Sequence, residues 1–344
     1  MYSESDLDAA VAAGKLSATE ADKFRAFIAA QKTAPAVDEE YVRLLTGFND
    51  IFVSIAIVLV LGAVCFTTGS VPLKSAAVAV LSWGLAEYFT RQRRMALPSI
   101  LLLLTYAGGV AGFLVWGVGQ VSGAPVSLVT RNANPTLALG LAGAAVLMGL
   151  AAYAHWLRFH VPITIAAGTA TVALTLIAVL VTAFPSAGQH WPWLVFAAGL
   201  AIFTLALRWD MADLARTTRR TDVAFWLHLL AAPMLVHPLF FLLGLLDSQN
   251  PGESKAVIAI GIYLLLGLVA LLVDRRALLV SALGYVMFAL SSVLKASGVV
   301  GQDLTYTALV AGAALLLLSA FWHKARQGVM LFVPATIRRH LPPV

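Results

Sequence analysis

His228 and His237 lie nine residues apart in an apolar run that also holds Pro233 and Pro238. An imidazole titrates near neutral pH, so two of them at membrane depth can hold or pass a proton. Nine residues is roughly 900° of helical rotation, which turns the two rings to opposite sides of a straight helix and prevents them from chelating one metal. Each proline removes a helix hydrogen bond, leaving the carbonyls of Leu229 and Met234 to find other partners and predicting a kink between the histidines. Asp222, Tyr285 and Lys295 complete the candidate transport or relay set. The histidines would exchange protons, Tyr285 would donate a hydrogen bond, and Asp222 and Lys295 would guard opposite mouths of the path. The competing reading is a packed helix whose histidines bond to neighbouring helices.

Two other chemistries are open to the same stretch. A b-type haem needs two facing axial histidines from different helices, and either His155 or His323 can be brought toward His228. Haem b is therefore the one cofactor to consider, and no metal ligand or catalytic residue is assigned. Asp210, Asp213 and Arg216 invite comparison with the carboxylate motif of CDP-alcohol phosphotransferases. Leu214 stands where that motif needs glycine, and only Asp222 follows, so the comparison fails where metal would bind. The stretch reads instead as an amphipathic cytoplasmic loop whose arginines touch anionic lipid. No HExxH, GxSxG, Walker or GxGxxG motif is present.

These residues are carried by membrane-grade sequence. Of 344 residues, 60% are hydrophobic and 12% charged, and the mean hydropathy is +0.87. A helix needs about 20 apolar residues to cross a core of about 30 Å, and residues 48–323 supply about ten such runs. They fall at 48–69, 72–90, 96–118, 136–157, 161–184, 191–208, 223–246, 255–273, 277–297 and 304–323. Lipid cannot satisfy free backbone groups, so the expected fold is an all-α integral membrane protein of about ten transmembrane helices. Of the 23 Lys and Arg residues, 19 fall in the N-terminal arm, the C-terminal tail and the turns after even-numbered spans. The excess predicts both termini in the cytoplasm and, in a bacterium, the inner membrane. The net charge of +6 thus records topology and points to anionic lipid, with no nucleic-acid partner expected. The lone Cys65 excludes an internal disulfide, and the polar N-terminus has no signal-peptide pattern.

Residues 1–46 read as a cytoplasmic helical hairpin and linker, 47–324 as the membrane domain, and 325–344 as a cytoplasmic tail. In the arm, Leu7 and Val11 share a face, Gly14 ends the first helix, and Ser17 with Glu20 forms a capping box. Phe24, Phe27 and Ile28 continue as an apolar stripe. The wording Gly-Lys-Leu-Ser-Ala-Thr-Glu-Ala at 14–21, ahead of a many-span domain, resembles uncharacterised bacterial multi-pass membrane proteins of the domain-of-unknown-function type. The resemblance implies the layout and no site residue.

Within the spans, Thr164, Gly168, Thr171, Thr175 and Thr182 fall on one face of the fifth. Ser281, Tyr285, Ser292 and Lys295 do so in the ninth. Gly108 and Gly112 form a GxxxG packing motif in the third, and Glu87 is positioned to pair with Arg91 one turn on. The basic turns recur near 92, 158, 214, 275 and 324, as five hairpin units would require. The leading functional expectation is a secondary-transporter-like or permeation protein with a polar path along the fifth, seventh and ninth spans. Ten spans allow two inverted five-helix halves, a layout similar to the drug/metabolite transporters. The alternative is a non-catalytic accessory or assembly subunit with a membrane-protein partner or a second copy of itself. A third is an intramembrane enzyme acting on lipid-linked substrates.

Overall fold

A computed structural model describes residues 7, 10–24, 48–123, 135–214, 216, 218–244, 253–280, 283–284, 287, 291 and 303–342. The chain divides into two compact units, Met1–Tyr41 and Val42–Val344. The described residues contain helices and no strand.

In the first unit the helix ends at Gly14, whose φ of +66° is the left-handed conformation a glycine adopts without steric cost. The next helix opens on the expected capping box. The Glu20 amide donates to Ser17 Oγ at 3.2 Å, while the Ser17 amide donates to Glu20 Oε2 at 2.9 Å. Leu7 and Ala21 are buried, whereas Phe24 is exposed. Phe27 and Ile28 lie outside the described residues.

The second unit comprises α1 (Phe48–Phe66), α2 (Val71–Ala86), α3 (Ala96–Ser122), α4 (Pro135–Phe159), α5 (Ile163–Ala183), α6 (Trp191–Met211), α7 (Arg219–Leu242), α8 (Glu253–Val273), α9 (Asp303–Ala320), α10 (Trp322–Met330) and α11 (Ala335–Arg338). Among the described residues, six stretches are long and apolar enough to cross a membrane, or seven if α9 and α10, bent by 70° at Phe321, are one broken span. This fits a multi-pass membrane protein. α2 continues into a π-helical segment, Glu87–Gln92, and α8 presents a shorter apolar helix. The ninth predicted span lies largely outside the described residues. Trp191 and Trp209 bracket α6 at about 27 Å, given a rise of 1.5 Å per residue. That nearly matches the hydrocarbon thickness at which interfacial tryptophans sit.

Helices joined through the basic turns pack most closely, as α2 with α3, α4 with α5 and α6 with α7. Small residues permit it, but the expected motif is displaced by one position. A Cβ on Gly109 would lie 2.7 Å from the Ala79 nitrogen and from the Ser75 oxygen, whereas one on Gly108 would meet nothing within 4 Å. Gly109 with Gly112 therefore makes the close approach to α2. Gly199 on α6 does the same for α7, its absent Cβ leaving room for the Met234 backbone at 3.0 Å. α7 runs as one helix through Pro233 and Pro238.

The basic turns share a backbone device. Arg94, His160, Arg216 and Asp274 have φ of +53°, +53°, +53° and +58°. Arg94, His160 and Asp274 come at the end of a helix and Arg216 lies within the α6–α7 turn, each in the left-handed region at a cost of about 1 kcal/mol for a residue with a Cβ. Three of the five turns thus close alike; that at Phe321 has φ −107°. The residue after each left-handed position points inward in three of them. Met95 is 6% exposed, Val161 6% and Arg275 0%. Val161 packs in an apolar cluster with Ile57, Leu61, Ala86 and Leu102.

Candidate functional site

Arg275 takes the place that Met95 and Val161 take in the earlier turns, and its charge is met inside the protein. Its guanidinium donates from Nε to Asp210 Oδ2 at 3.3 Å and from Nη2 to Asp210 Oδ1, and it reaches the Thr221 carbonyl at 3.3 Å. Asp210 Oδ2 also meets His228 Nε2 at 2.8 Å. The side chains of His228 and Arg275 are 0% exposed and that of Asp210 is 5% exposed. Three ionisable groups, from the end of α6, the third turn of α7 and the turn after α8, therefore form one enclosed triad. The α6–α7 hairpin positions the first two, and the left-handed Asp274 turns the chain so that Arg275 points in. Phe203 closes one side, its ring 5.3 Å from that of His228.

Two further carboxylates frame the triad. Asp213 Oδ2 accepts from the Thr218 amide at 2.8 Å, from Thr218 Oγ1 at 2.7 Å and from Thr221 Oγ1 at 3.1 Å. It thus fixes the start of α7 by satisfying free donors there. Arg216 donates to Asp274 Oδ2 at 2.8 Å and to the Asp274 carbonyl at 2.9 Å. Trp322 Nε1 donates to Asp274 Oδ1 at 2.7 Å.

The charge arithmetic defines what the triad can do. With His228 neutral, Asp210 and Arg275 cancel. With His228 protonated, the enclosed site carries one net positive charge. Charge interactions strengthen away from water, so one proton alters the forces that hold three helices together. His228 Nδ1 and Arg275 Nη1 are buried without a hydrogen-bond partner among the described residues. Such groups are unusual in a network serving packing alone.

The expected site residues distribute unevenly. His228 is at the centre, and half-buried Asp222 lies six residues before it on α7. His237 is remote from the triad by helix phase, its ring 6.1 Å from that of Trp191. Tyr285 and Lys295 lie outside the described residues. Within 208–222, Asp210 belongs to the last helical turn of α6 and both Asp210 and Asp213 are buried, whereas Arg208, Arg219 and Arg220 are exposed. The oxygens of the two aspartates are engaged by Arg275, His228 and two threonines. Asp210 and Arg275 escaped sequence reading, since they are 65 residues apart and each resembles a cap or a topology marker. The signal that points to Arg275 is internal, namely a charge at the repeat position occupied elsewhere by methionine and valine.

On the threonine face of α5 most hydroxyls are engaged by the helix's own backbone. Thr171, Thr175 and Thr182 each donate to the carbonyl four residues back, at 2.9, 2.7 and 2.7 Å. Thr164 instead meets His155 Nδ1 at 3.3 Å. The face opens on a groove of about 610 Å³ between α4 and α5, whose lining is apolar but for threonines, Tyr153 and Trp156. His155 sits among Trp83, Tyr106 and Phe159, ring neighbours wholly different from those of His228, so haem b finds no facing histidine pair there. Among the described residues no cluster of His, Cys, Asp or Glu is arranged to hold a metal ion. Glu87 pairs with Arg91 at 3.3 Å, as expected, and more closely with Arg158 on α4 at 2.6 Å.

Comparison with known protein families, with curated proteins and with solved structures finds no match for this chain.

Proposed function

We propose that the protein is a secondary-transporter-like or permeation protein of a bacterial inner membrane, with both termini in the cytoplasm and about ten spans. Its proton-responsive element is Asp210–His228–Arg275. The orientation rests on the 19 of 23 basic residues assigned to one side. The observation that carries the functional reading is the substitution of Arg275 for the apolar residue buried in the equivalent turns. Apolar packing closes those turns, and an ion network of similar volume is often no more stable than the hydrophobic residues it replaces. A charge set that packing does not require, placed among membrane helices, marks a functional site. The charged groups facing His228 are Asp210 from α6, Arg275 from the turn after α8, and Arg216 from the α6–α7 turn.

The test uses the full chain in proteoliposomes with an internal pH dye and an imposed pH gradient, challenged with fractions of a bacterial metabolite extract. A fraction that moves protons through the wild type and not through Asp210→Leu/His228→Leu/Arg275→Met supports the reading. If no fraction moves protons faster in the wild type than in the triple variant, the reading falls.

A second reading, an accessory or assembly subunit, draws on the character of the cavities. Those of about 610 and 370 Å³ are apolar grooves on the faces of α4, α5 and α6, suited to lipid or helix contact. Mass spectrometry of protein purified at native level in mild detergent separates the two, because stoichiometric protein partners favour the subunit.

A further inference from the structure

The C-terminal segment returns to the turn that carries Arg275. Arg338 donates to the carbonyls of Met330 and Val333, folding the chain back after α10. At its far end Pro342 is buried, and its carbonyl accepts from Arg326 Nη2 at 2.6 Å. Arg326 is 2% exposed. Its Nε donates to the Leu271 carbonyl at 3.2 Å and lies 3.7 Å from Asp274 Oδ1. Trp322, also 2% exposed, donates to that same oxygen, while Arg216 holds Oδ2. Asp274 is thus gripped on both carboxylate oxygens, and the next residue is Arg275. One continuous set of contacts runs from Pro342 through Arg326 and Asp274 to the triad.

We propose that residues 331–342 form a strap whose docking on Arg326 sets the position of Arg275, so that strap release retunes the buried triad. Arg326 and Asp274 are positioning residues, since neither touches Asp210 or His228 in the described contacts. The physical ground is the enclosure of Arg326. A buried guanidinium that loses an acceptor must find another. Two acceptors within its reach, the Leu271 carbonyl and Asp274 Oδ1, belong to the end of α8 and its turn. The charged groups around Asp274 are Arg216 and Arg326, with Arg275 and Arg276 next along the chain; Arg276 stacks on the Trp322 ring at 4.9 Å. The control function of the strap rests on the proton-site reading above. Its mechanical coupling to Arg275 does not.

The experiment uses full-length protein with Cys65→Ser, which removes the only thiol. Hydrogen–deuterium exchange is followed over 266–280 in the parent, Arg326→Lys, Arg326→Gln and a variant lacking 331–344, each eluting as a monodisperse species. Arg326→Gln and the deletion are expected to raise exchange at 271–278 at least tenfold, with Arg326→Lys close to the parent. In the otherwise unaltered Cys65→Ser chain, Leu341→Cys is expected to react with maleimide at least tenfold more slowly than in its Arg326→Gln counterpart. Two results overturn the proposal: exchange at 271–278 unmoved by strap deletion, or a Leu341→Cys variant that labels at the rate of a free thiol with Arg326 intact. Raised exchange without proton flux in the wild type sinks the proton-site reading and leaves the coupling standing. Flux in the wild type with unmoved exchange sinks the strap alone.

Discussion

Arg216 and Asp274 both hold left-handed backbone conformations, and they bind each other. Arg216 closes the turn between α6 and α7, and Asp274 closes the turn after α8, 58 residues along the chain. The arginine grips both the carboxylate and the backbone carbonyl of its partner. Two residues that each carry the conformational cost of a turn are thus locked to one another. The lock brings the ends of α6 and α8 together with the start of α7, the geometry that encloses the triad.

The triad invites a comparison of single and triple substitutions. Asp210→Asn leaves Arg275 buried without a counter-charge, which costs about 3–5 kcal/mol in comparable sites. Asp210→Leu/His228→Leu/Arg275→Met removes the whole network and is expected to unfold at or above the wild-type temperature. Thermal unfolding in detergent, followed by tryptophan fluorescence, makes the measurement. A triple variant less stable than Asp210→Asn would show that the charges serve the fold.

Neighbouring glycines on α3 should behave oppositely. Gly108→Ala meets open space and gains helix propensity, so a change of less than about 1 kcal/mol in the stabilising direction is expected. Gly109→Ala drives a methyl into the α2 backbone and is expected to cost about 1–3 kcal/mol. Equal melting temperatures for the two variants would refute the close approach of α2 and α3.

The capping box of the arm gives a pH dependence of known sign. Hydrogen bonds from the Ser17 side chain and amide hold the exposed Glu20 carboxyl below its ordinary value of 4.5. A lowered folded value means that the stabilisation is present above that ordinary value and is lost as pH falls through the lowered one. Amide exchange at 17–24, corrected for intrinsic rates, is expected to be faster at pH 3 than at pH 7 in the wild type. Glu20→Gln should remove most of the difference. A wild-type difference that survives this substitution would place the titration elsewhere.

The sequence discloses what local chemistry controls. Hydropathy marks helices at the first eight expected stretches, because a membrane helix must satisfy its backbone within itself. The Gly14 stop and the Ser17–Glu20 cap are legible because their donors and acceptors lie within a few residues. His228 stands out as an imidazole in an apolar run. Its partners do not, because Asp210 and Arg275 meet through tertiary packing and each has an ordinary local reading. Gly109 is hidden for a similar reason: Gly108-xxx-Gly112 matches the motif, but α2 packs on the side of α3 that carries Gly109 and Gly112. α7 continues through two prolines, and beside them the backbone of α6 packs directly against Met234 at Gly199.

Chain order makes Asp210–His228 the first contact of the triad that can form. These residues are 18 apart, on the two arms of one hairpin, whereas Arg275 follows Asp210 by 65 residues. A ribosome delivering the chain from its N-terminus exposes the carboxylate and its imidazole long before the arginine exists. Asp210 stands in the last turn of α6, and the histidine is the partner on hand during that interval. The imidazole is thus the first of the two partners to become available to the carboxylate, and the arginine follows once the turn after α8 has been made.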